Sequence, residues 1–465
     1  AVLPRTKDDH GFYEDIAVLA VREPAPAALA VTTSVTGRTA TVTSPAPVRV
    51  TGIDWRMSFK WCANSRAVAR IEVSRDGWTF ETLEDALPVV VAEFNTALYG
   101  SHYHTFRRPL ELRAVRLTLT GGPSSLKIEE LNLETRTHIE DLEAKMFRVK
   151  APFKPTVAEE TVGAIEAKET IDLTGRMESD GRLAWDVPEG DWTILRIGYA
   201  ANGMRLSGQN TAGGDGLEVD KLNAAAVDLH FDAYAGRLAK GHKSVKSVLC
   251  DSYEVGTQNW THGLEKTFAQ RKGYSLVPYL VAFSGRIVGS VKRTDEALWD
   301  FRRLISDLFV ENFVDECARK ARAAGLRYAM EPYGNMSADA THYAAHVDLP
   351  MSEFWVTADD GVATDHVGHS AITKSVTSAA HLHGRDGVDA EAFTAFPLKG
   401  GRWLKDPFGL KAMGDFYYAL GVTRMVYHRF AHQPWTEPAR LPGMTMGQWG
   451  THFERTETWW PMVGP

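Results

Sequence analysis

The stretch that decides the fold lies near the middle of the chain and reads Val245-Lys246-Ser247-Val248-Leu249-Cys250-Asp251-Ser252-Tyr253-Glu254. Its apolar part, which ends at Leu249, predicts a short buried β-strand. Asp251, Tyr253 and Glu254 follow at the C-terminal end of that strand. Acidic and aromatic residues in that position are typical of the catalytic rim of an α/β barrel.

The same pattern recurs downstream of this stretch. Further apolar runs are each followed by a glutamate or a histidine: 326–330 by Glu331-Pro332-Tyr333-Gly334, 347–351 by Glu353-Phe354-Trp355, 388–390 by Glu391, and 423–427 by His428. Helical periodicity between the runs, as at 296–324 and 410–420, predicts alternating strands and helices and hence a parallel sheet. Roughly five or six such units follow residue 190. We therefore expect an α/β fold with a (β/α)8-type barrel that is incomplete at its C-terminal end.

The sequence before the barrel predicts a β domain and a connector. Residues 1–150 contain alternating apolar and polar runs, separated by turn signals such as Arg75-Asp76-Gly77. We expect a β-sandwich over 1–150, similar to galactose-binding jelly rolls, a connector with short strands over 151–190, and the barrel over 191–465. The strand expected at 192–199 fits either the first strand of the barrel or the last strand of a small sandwich.

Composition excludes several classes of protein. The chain has 465 residues, of which 44% are hydrophobic, enough for packed cores in two or three domains. A net charge of −7 offers no basic surface to nucleic acid. No apolar run is long enough to span a membrane. Cys62, Cys250 and Cys317 have no metal-ligand spacing and are expected to be free thiols.

The glutamates that follow the predicted strands are the main chemical signal. They are Glu254, Glu331, Glu353 and Glu391. Glycoside hydrolysis needs one carboxylic acid to protonate the leaving oxygen and a second carboxylate to activate water or attack the sugar. Grouped carboxylates also raise one another's pKa, which keeps one of them protonated near neutral pH. The alternative for any single glutamate is an ion pair with a nearby arginine or lysine.

Metal binding is a further possibility that the residue types suggest. An oxygen-rich group such as Glu218, Asp251, Glu331 and Glu353 suits calcium better than zinc. The histidines occur in pairs, namely His342/His346, His366/His369, His381/His383 and His428/His432, but none forms a His-Glu-x-x-His motif. We interpret His428 and His432, with Gln433 beside the latter, as hydrogen-bond partners of substrate hydroxyl groups, against a structural role.

Several long motifs, taken in order, resemble the α-L-rhamnosidases of glycoside hydrolase family 106. They are Gly216-Leu217-Glu218-Val219-Asp220-Lys221, Asp251-Ser252-Tyr253-Glu254-Val255-Gly256-Thr257-Gln258-Asn259-Trp260-Thr261, Glu331-Pro332-Tyr333-Gly334, Glu353-Phe354-Trp355, Ala390-Glu391-Ala392-Phe393-Thr394, His432-Gln433-Pro434 and Pro442-Gly443-Met444-Thr445. The resemblance is continuous from about residue 185 to 460 and looser over the N-terminal β region.

The resemblance implies an inverting hydrolase on a (β/α)8 barrel, assisted by calcium at the bound rhamnose. By motif, Glu254 is similar to the general acid and Glu391 to the base that activates water. Asp251 would lie next to the acid, and Glu353 on the sugar or the calcium. Inversion predicts that the carboxyl groups of Glu254 and Glu391 lie about 6.5–9.5 Å apart.

The remaining expectations complete the hypothesis. The residues expected to bind substrate are Asp251, Asn259, Trp260, Glu331, Tyr333, Trp355, His428, His432 and Gln433, and those expected to bind metal are Glu353 and Glu218. The substrate would be a carbohydrate with terminal α-L-rhamnose, in a plant glycoside or a pectic oligosaccharide, met in the periplasm or outside the cell. Two alternatives stay open: a carbohydrate-binding protein without turnover, and a barrel hydrolase that uses a histidine-bound metal.

Overall fold

The structure, a computed structural model, describes residues 2–4, 11–23, 28–60, 65–93, 96–97, 101–203, 216–334, 336, 339–356, 369–395, 405–428, 435, 437 and 451. Its strands are β1 (Tyr13–Arg22), β2 (Thr32–Thr36), β3 (Thr39–Ser58), β4 (Ser65–Ser74), β5 (Glu81–Glu93), β6 (Thr96–Ala97), β7 (Ser101–Gly121), β8 (Lys127–Glu134), β9 (Ile171–Asp172), β10 (Trp192–Ala200), β11 (Ser247–Cys250), β12 (Arg327–Met330), β13 (Leu349–Val356), β14 (Asp389–Ala395) and β15 (Arg424–Tyr427).

The helices lie mainly in the second half of the chain. They are α1 (Leu142–Lys145), α2 (Ala224–Ala233), α3 (Ala235–Gly241), α4 (Leu264–Lys272), α5 (Val291–Phe309), α6 (Glu316–Ala323), α7 (Ala340–Ala344), α8 (His369–Leu382) and α9 (Pro407–Leu420). A π-helical segment, Val310–Asp315, joins α5 to α6. None of the helices in the described part of the chain combines the length and the apolar character that crossing a bilayer requires.

The N-terminal β region forms one antiparallel sheet of seven strands, in the order β2-β3-β7-β4-β5-β6 with β8 on β3. Strand alternation puts one side of each strand into a shared core. In β4, for example, Ala67, Ala69, Ile71 and Val73 are buried and alternate with more exposed residues. The predicted antiparallel β region is therefore present; its division into the two layers of a sandwich stays a prediction.

The pairing of the long strands β3 and β7 has register shifts, and a strand bends at such a shift. The first half of β3 pairs with β2, and its second half pairs with β8. The register against β7 shifts between Val50 and Gly52, where the backbones come so close that a Cβ on Gly52 would overlap the carbonyl oxygen of His104. A glycine at the bend is what such close approach requires.

A second, smaller sheet has the order β10-β1-β9. β1 pairs antiparallel with β10 from Tyr13–Ala200 to Arg22–Trp192. Of the two alternatives for the strand near residue 192, the structure therefore supports the small antiparallel sheet. A small core that includes Val18 and Leu173 lies against it.

The chain divides into two compact units, each continuous in space and interrupted in sequence. The first contains residues 1–205, 254–305 and 335–337, and the second contains 206–253, 306–334 and 338–465. Within the first unit, the fully buried Lys145 Nζ lies 2.7 Å from Asp295 Oδ1, although the two residues are 150 positions apart. The domain limits at 150 and 190 stay predictions.

The second unit contains the parallel sheet that the sequence predicts. Its order is β11-β12-β13-β14-β15, every neighbouring pair is parallel, and helices lie between the strands in the chain. This order is that of a segment of a (β/α) barrel. Eight such strands are not found among the described residues, so the complete barrel stays a prediction.

The helices begin and end where their sequences indicate. The Asn223 side chain accepts a hydrogen bond from Ala225 N and caps α2, a role that asparagine commonly has at helix N-termini. Gly325 follows α6 with φ +73°, which suits the left-handed residue after a helix. The backbone of Tyr234 leaves helical geometry and separates α2 from α3.

Candidate active site

The parallel sheet brings four carboxylates to comparable positions in neighbouring strands. Cys250 and Met330 are register partners at the ends of β11 and β12, and Asp251 and Glu331 follow them directly. Glu353 and Glu391 are register partners in β13 and β14. Because parallel strands point the same way, these acids gather near one edge of the sheet.

One expectation about these acids is wrong. Glu353 and Glu391 were expected at the C-terminal ends of their strands, but both strands continue beyond them. The pairing of β13 with β14 continues to Val356–Ala395, which keeps the polar residues after Met351 extended. The two glutamates are therefore carried by the sheet itself, which positions side chains more rigidly than a loop does.

Three of the acids form a compact group. Asp251, Glu331 and Glu391 each offer a carboxylate oxygen, and these atoms all lie within 4.8 Å of one another. Glu331 is buried, Glu391 is partly exposed and Asp251 is exposed. Within the described part of the chain, the metal-capable side chains of this group are all carboxylates.

Glu331 lies at the buried end of this group. Its side chain is 1% exposed, and its Oε2 accepts a hydrogen bond from Ser252 N at 3.0 Å. Burial raises the pKa of Glu331 well above its usual value, and the hydrogen bond and charge of Asp251 and the charges of Glu353 and Glu391 raise it further. Its Oε1 is buried and has no hydrogen-bond partner among the described residues. A proton or a bound cation would stabilise this carboxyl group.

Tyr333 lies beside Glu331 in the loop after β12. Tyr253 N donates to Tyr333 O at 3.1 Å, and Tyr253 and Gly334 form a parallel bridge. Gly334 has φ +120°, and a Cβ there would overlap the backbone of Tyr253. Burial and the charges of the acidic group raise the pKa of the Tyr333 phenol well above its usual value, so the hydroxyl stays protonated.

Glu353 is held by a histidine that sequence analysis had considered only as a metal ligand. His369, the first residue of α8, places its Nε2 2.8 Å from Glu353 Oε1. The imidazole ring is buried and lies 6.4 Å from the ring of Trp355, which is in β13. The role of Glu353 on sugar or calcium, and that of Trp355 on substrate, stay predictions.

Glu391 is held by a threonine that sequence analysis missed. Thr394 Oγ1 donates to Glu391 Oε1 at 2.8 Å and lies 3.0 Å from His428 Nδ1. His428 is fixed through its backbone, because its N–H donates to Ala392 O at 2.8 Å. The expected substrate contact of His428 stays a prediction, and His432 and Gln433 lie outside the described residues.

Glu218 has a different partner. Lys221 Nζ lies 2.7 Å from Glu218 Oε1, and the buried ammonium group also lies 4.8 Å from the ring centroid of Tyr253 and 5.1 Å from that of Phe313. This lysine neutralises Glu218, which is not in the group of three acids. Its expected role as a metal ligand stays a prediction.

The remaining predicted site residues belong to the first unit. Asn259 Nδ2 donates to Met146 O at 2.8 Å, and Trp260 is 7% exposed and stacks on Phe301 with ring centroids 6.1 Å apart. Both side chains therefore make contacts inside the protein. Glu254 is exposed. Their expected roles in substrate binding and acid catalysis stay predictions.

Grouped carboxylates on a parallel βα sheet are typical of glycoside hydrolases, which is the class of protein that this site indicates. The sequence profile of glycoside hydrolase family 106, described as alpha-L-rhamnosidase, matches residues 2–465. The chain therefore belongs to this family, and the resemblance seen in its motifs is confirmed.

Two similar proteins give the comparison more detail. The solved structure of a rhamnosidase from Novosphingobium sp. PP1Y superposes with a TM-score of 0.79 at 25% identity, covering 97% of this chain and 45% of that one. A putative beta-glucuronidase of Formosa agariphila is 37% identical over 305 residues, which are 64% of this chain and 24% of that protein. The chain thus spans less than half the length of either relative.

Proposed function

We propose that this chain carries the catalytic site of an inverting α-L-rhamnosidase, which removes terminal α-L-rhamnose from plant glycosides or pectic oligosaccharides. The observation that carries the proposal is the group formed by Asp251, Glu331 and Glu391 in a chain of family 106. The similarity to a solved rhamnosidase structure supports the same activity.

In the proposed mechanism, Glu391 acts as the general base. Its carboxylate accepts the proton of a water molecule that attacks the anomeric carbon, while Glu254 protonates the leaving oxygen. The hydrogen bond from Thr394 to Oε1 fixes the orientation of the Glu391 carboxylate and so the direction from which it can accept that proton. A single displacement of this kind inverts the configuration at the anomeric carbon.

The acidic group also suits the calcium ion that the family resemblance implies. Asp251 and Glu331 provide hard oxygen ligands, and the buried Oε1 of Glu331 lacks a hydrogen-bond partner among the described residues. When bound, calcium would neutralise these carboxylates and attract hydroxyl oxygens of the sugar. A rise in melting temperature on adding calcium tests this binding without any activity assay.

The proposal includes a complete barrel and a β-sandwich. The parallel strands β11 to β15 would form part of a (β/α)8 barrel, and the antiparallel region before them would be a β-sandwich of the galactose-binding type. The protein would act in the periplasm or outside the cell, where plant glycosides and pectic fragments occur.

A second candidate activity comes from the relative described as a putative beta-glucuronidase. A glucuronide carries a carboxylate, and the acids of this site would repel it unless a cation or a proton neutralised them. Since the proposed calcium ion would supply that neutralisation, the match to the alpha-L-rhamnosidase family is what favours rhamnose. An aryl β-D-glucuronide, assayed beside the aryl α-L-rhamnoside, decides between the two activities.

The main test is release of an aryl group from its α-L-rhamnoside by folded protein, with and without a calcium chelator. We expect activity that the chelator removes and calcium restores, and NMR should detect β-L-rhamnose as the first sugar product. Glu391→Gln should lower kcat by a factor of about 100 or more, because the amide is not a base. The matched control is Glu160→Gln on the surface, which should retain full activity. Release of α-L-rhamnose first would exclude the inverting mechanism.

A further inference from the structure

An extra residue interrupts the pairing of β13 with β14 next to the proposed base. Glu353 pairs with Glu391 and Phe354 with Ala392, but Trp355 then pairs with Thr394. The register skips Phe393, whose backbone has φ +68°. This is a β-bulge with a phenylalanine in left-handed geometry, which bulky residues rarely adopt.

The bulge changes the face of the sheet on which Thr394 lies. In a regular strand, side chains alternate between faces, so residues 391 and 394 would point in opposite directions. Adding one residue between them reverses the alternation and returns Thr394 to the side of Glu391. The hydrogen bond of 2.8 Å between the two side chains is the result.

Well-defined contacts hold the strained residue in place. The Phe393 ring packs edge-on against Phe354 with centroids 5.0 Å apart and lies 6.0 Å from the ring of Tyr427. Helix α9 has a glycine where it meets this ring, and a Cβ on Gly414 would lie 3.3 Å from Phe393 Cζ. The carbonyl group of Phe393 accepts a hydrogen bond of 2.8 Å from Thr451 Oγ1. Strain maintained in this way is typical of functional sites.

We propose that the bulge at Phe393 serves to place Thr394 as a positioning residue, which orients both Glu391 and His428. The inference rests on the proposed role of Glu391 as base. Thr394 has one hydroxyl proton and donates it to Glu391, so its oxygen accepts from Nδ1–H of His428, 3.0 Å away. The neutral imidazole of His428 therefore carries its proton on Nδ1. Its Nε2 then carries no proton and can accept a hydrogen bond from a sugar hydroxyl.

The kinetic test replaces the hydroxyl group while keeping the shape of the side chain. Thr394→Val should lower kcat about 10–100-fold, because the base loses its orientation, and should raise KM, because His428 no longer offers Nε2 as an acceptor to the sugar hydroxyl. Thr394→Ser keeps the hydroxyl and should stay within a few-fold of the unaltered protein. Thr373→Val, which removes a buried hydroxyl in α8, is the matched control and should have no such effect. Equal loss in the Val and Ser variants would overturn the inference, as would full activity in Thr394→Val.

The second test does not depend on catalysis. ¹⁵N NMR of labelled histidines, with the signal of His428 assigned by its loss in His428→Gln, reports which ring nitrogen carries the proton. We expect the Nδ1–H form in the unaltered protein and in Thr394→Ser, and a change towards Nε2–H in Thr394→Val.

The two tests separate the inference from the proposed function. A protein without rhamnosidase activity but with the Nδ1–H form would disprove the function and support the positioning role. An Nε2–H form in an unaltered protein that has rhamnosidase activity would support the function and disprove the positioning role. If Thr394→Val does not fold, the tautomer of His428 in the unaltered protein still decides.

Discussion

Glu331→Gln should stabilise the protein when no cation is bound. The pKa of Glu331 is raised in the folded state by burial and by its acidic neighbours. As pH rises from about 4.3, the unfolded chain loses this proton first, so folding becomes less favourable until the folded pKa is reached. A glutamine does not ionise and escapes this loss. Its carbonyl oxygen can still accept from Ser252 N, and its NH₂ group can donate to the facing carboxylates.

The size of the effect follows from how far the folded protein raises the pKa of Glu331. Each tenfold rise in the proton affinity of Glu331 on folding lowers the stability of the protein by about 1.4 kcal/mol at a pH above the folded pKa. A gain of 1 kcal/mol raises the melting temperature of a domain of 150–250 residues by about 2–4 °C. For each tenfold rise in proton affinity, Glu331→Gln should therefore melt about 3–6 °C higher than the unaltered protein at pH 7 in the presence of a chelator.

The assay is thermal unfolding from pH 4 to 8, with chelator and with calcium. The difference between Glu331→Gln and the unaltered protein should vanish near pH 4 and grow as the pH rises. Calcium should stabilise the unaltered protein more than the variant, which has lost a charged ligand. Glu160→Gln, at an exposed position, serves as the control. A variant that is less stable at every pH in chelator would refute this account of the acidic group.

Two further predictions concern stability, one in each of the two units. Asp295→Ala should lower the free energy of unfolding, measured in urea, by about 3–5 kcal/mol, because it leaves the buried Lys145 ammonium without its charged partner. The control, Arg49→Ala, breaks an exposed pair with Glu160 and should lower it by less than about 1 kcal/mol. Similar losses in both variants would contradict the reasoning. Gly334→Ala should lower the melting temperature much more than Gly384→Ala. Both glycines have positive φ, but only at Gly334 would a Cβ overlap the backbone of Tyr253. Equal losses would show that the positive φ, and not this overlap, causes the destabilisation.

The repeating βα pattern and the acids associated with it could be predicted from sequence because both are local. Apolar runs identify β11, β12 and β15 to within a few residues. Helical spacing predicts the buried stripe of α5, which contains Leu298 and Phe301, and this is confirmed. Carboxyl ends of parallel strands lie at one edge, so the grouping of Glu331 with Glu391 follows from the pattern.

The features that sequence missed depend on contacts between distant residues. A period of two places residues 391 and 394 on opposite faces, so the pattern itself argues against the Glu391–Thr394 pair. Only the bulge, a property of the pairing between β13 and β14, reverses this. The pairing of β1 with β10 joins residues far apart in sequence and has no local signal.

The interrupted course of the first unit has a consequence for how the chain is made. Residues 254–305 supply Asp295 to Lys145, Arg286 to Glu23 and a bridge partner to Ile165. At about 5–20 residues per second, a ribosome takes roughly 5–20 s to pass from residue 205 to residue 305. During that interval the nascent N-terminal segment contains Lys145, whose charged partner Asp295 does not yet exist, and Glu23, which has Arg136 but not yet Arg286 as a partner. This unit can therefore be completed only after its N-terminal half has been made, and a gene cut after codon 205 would yield a fragment in which Lys145 lacks its charged partner.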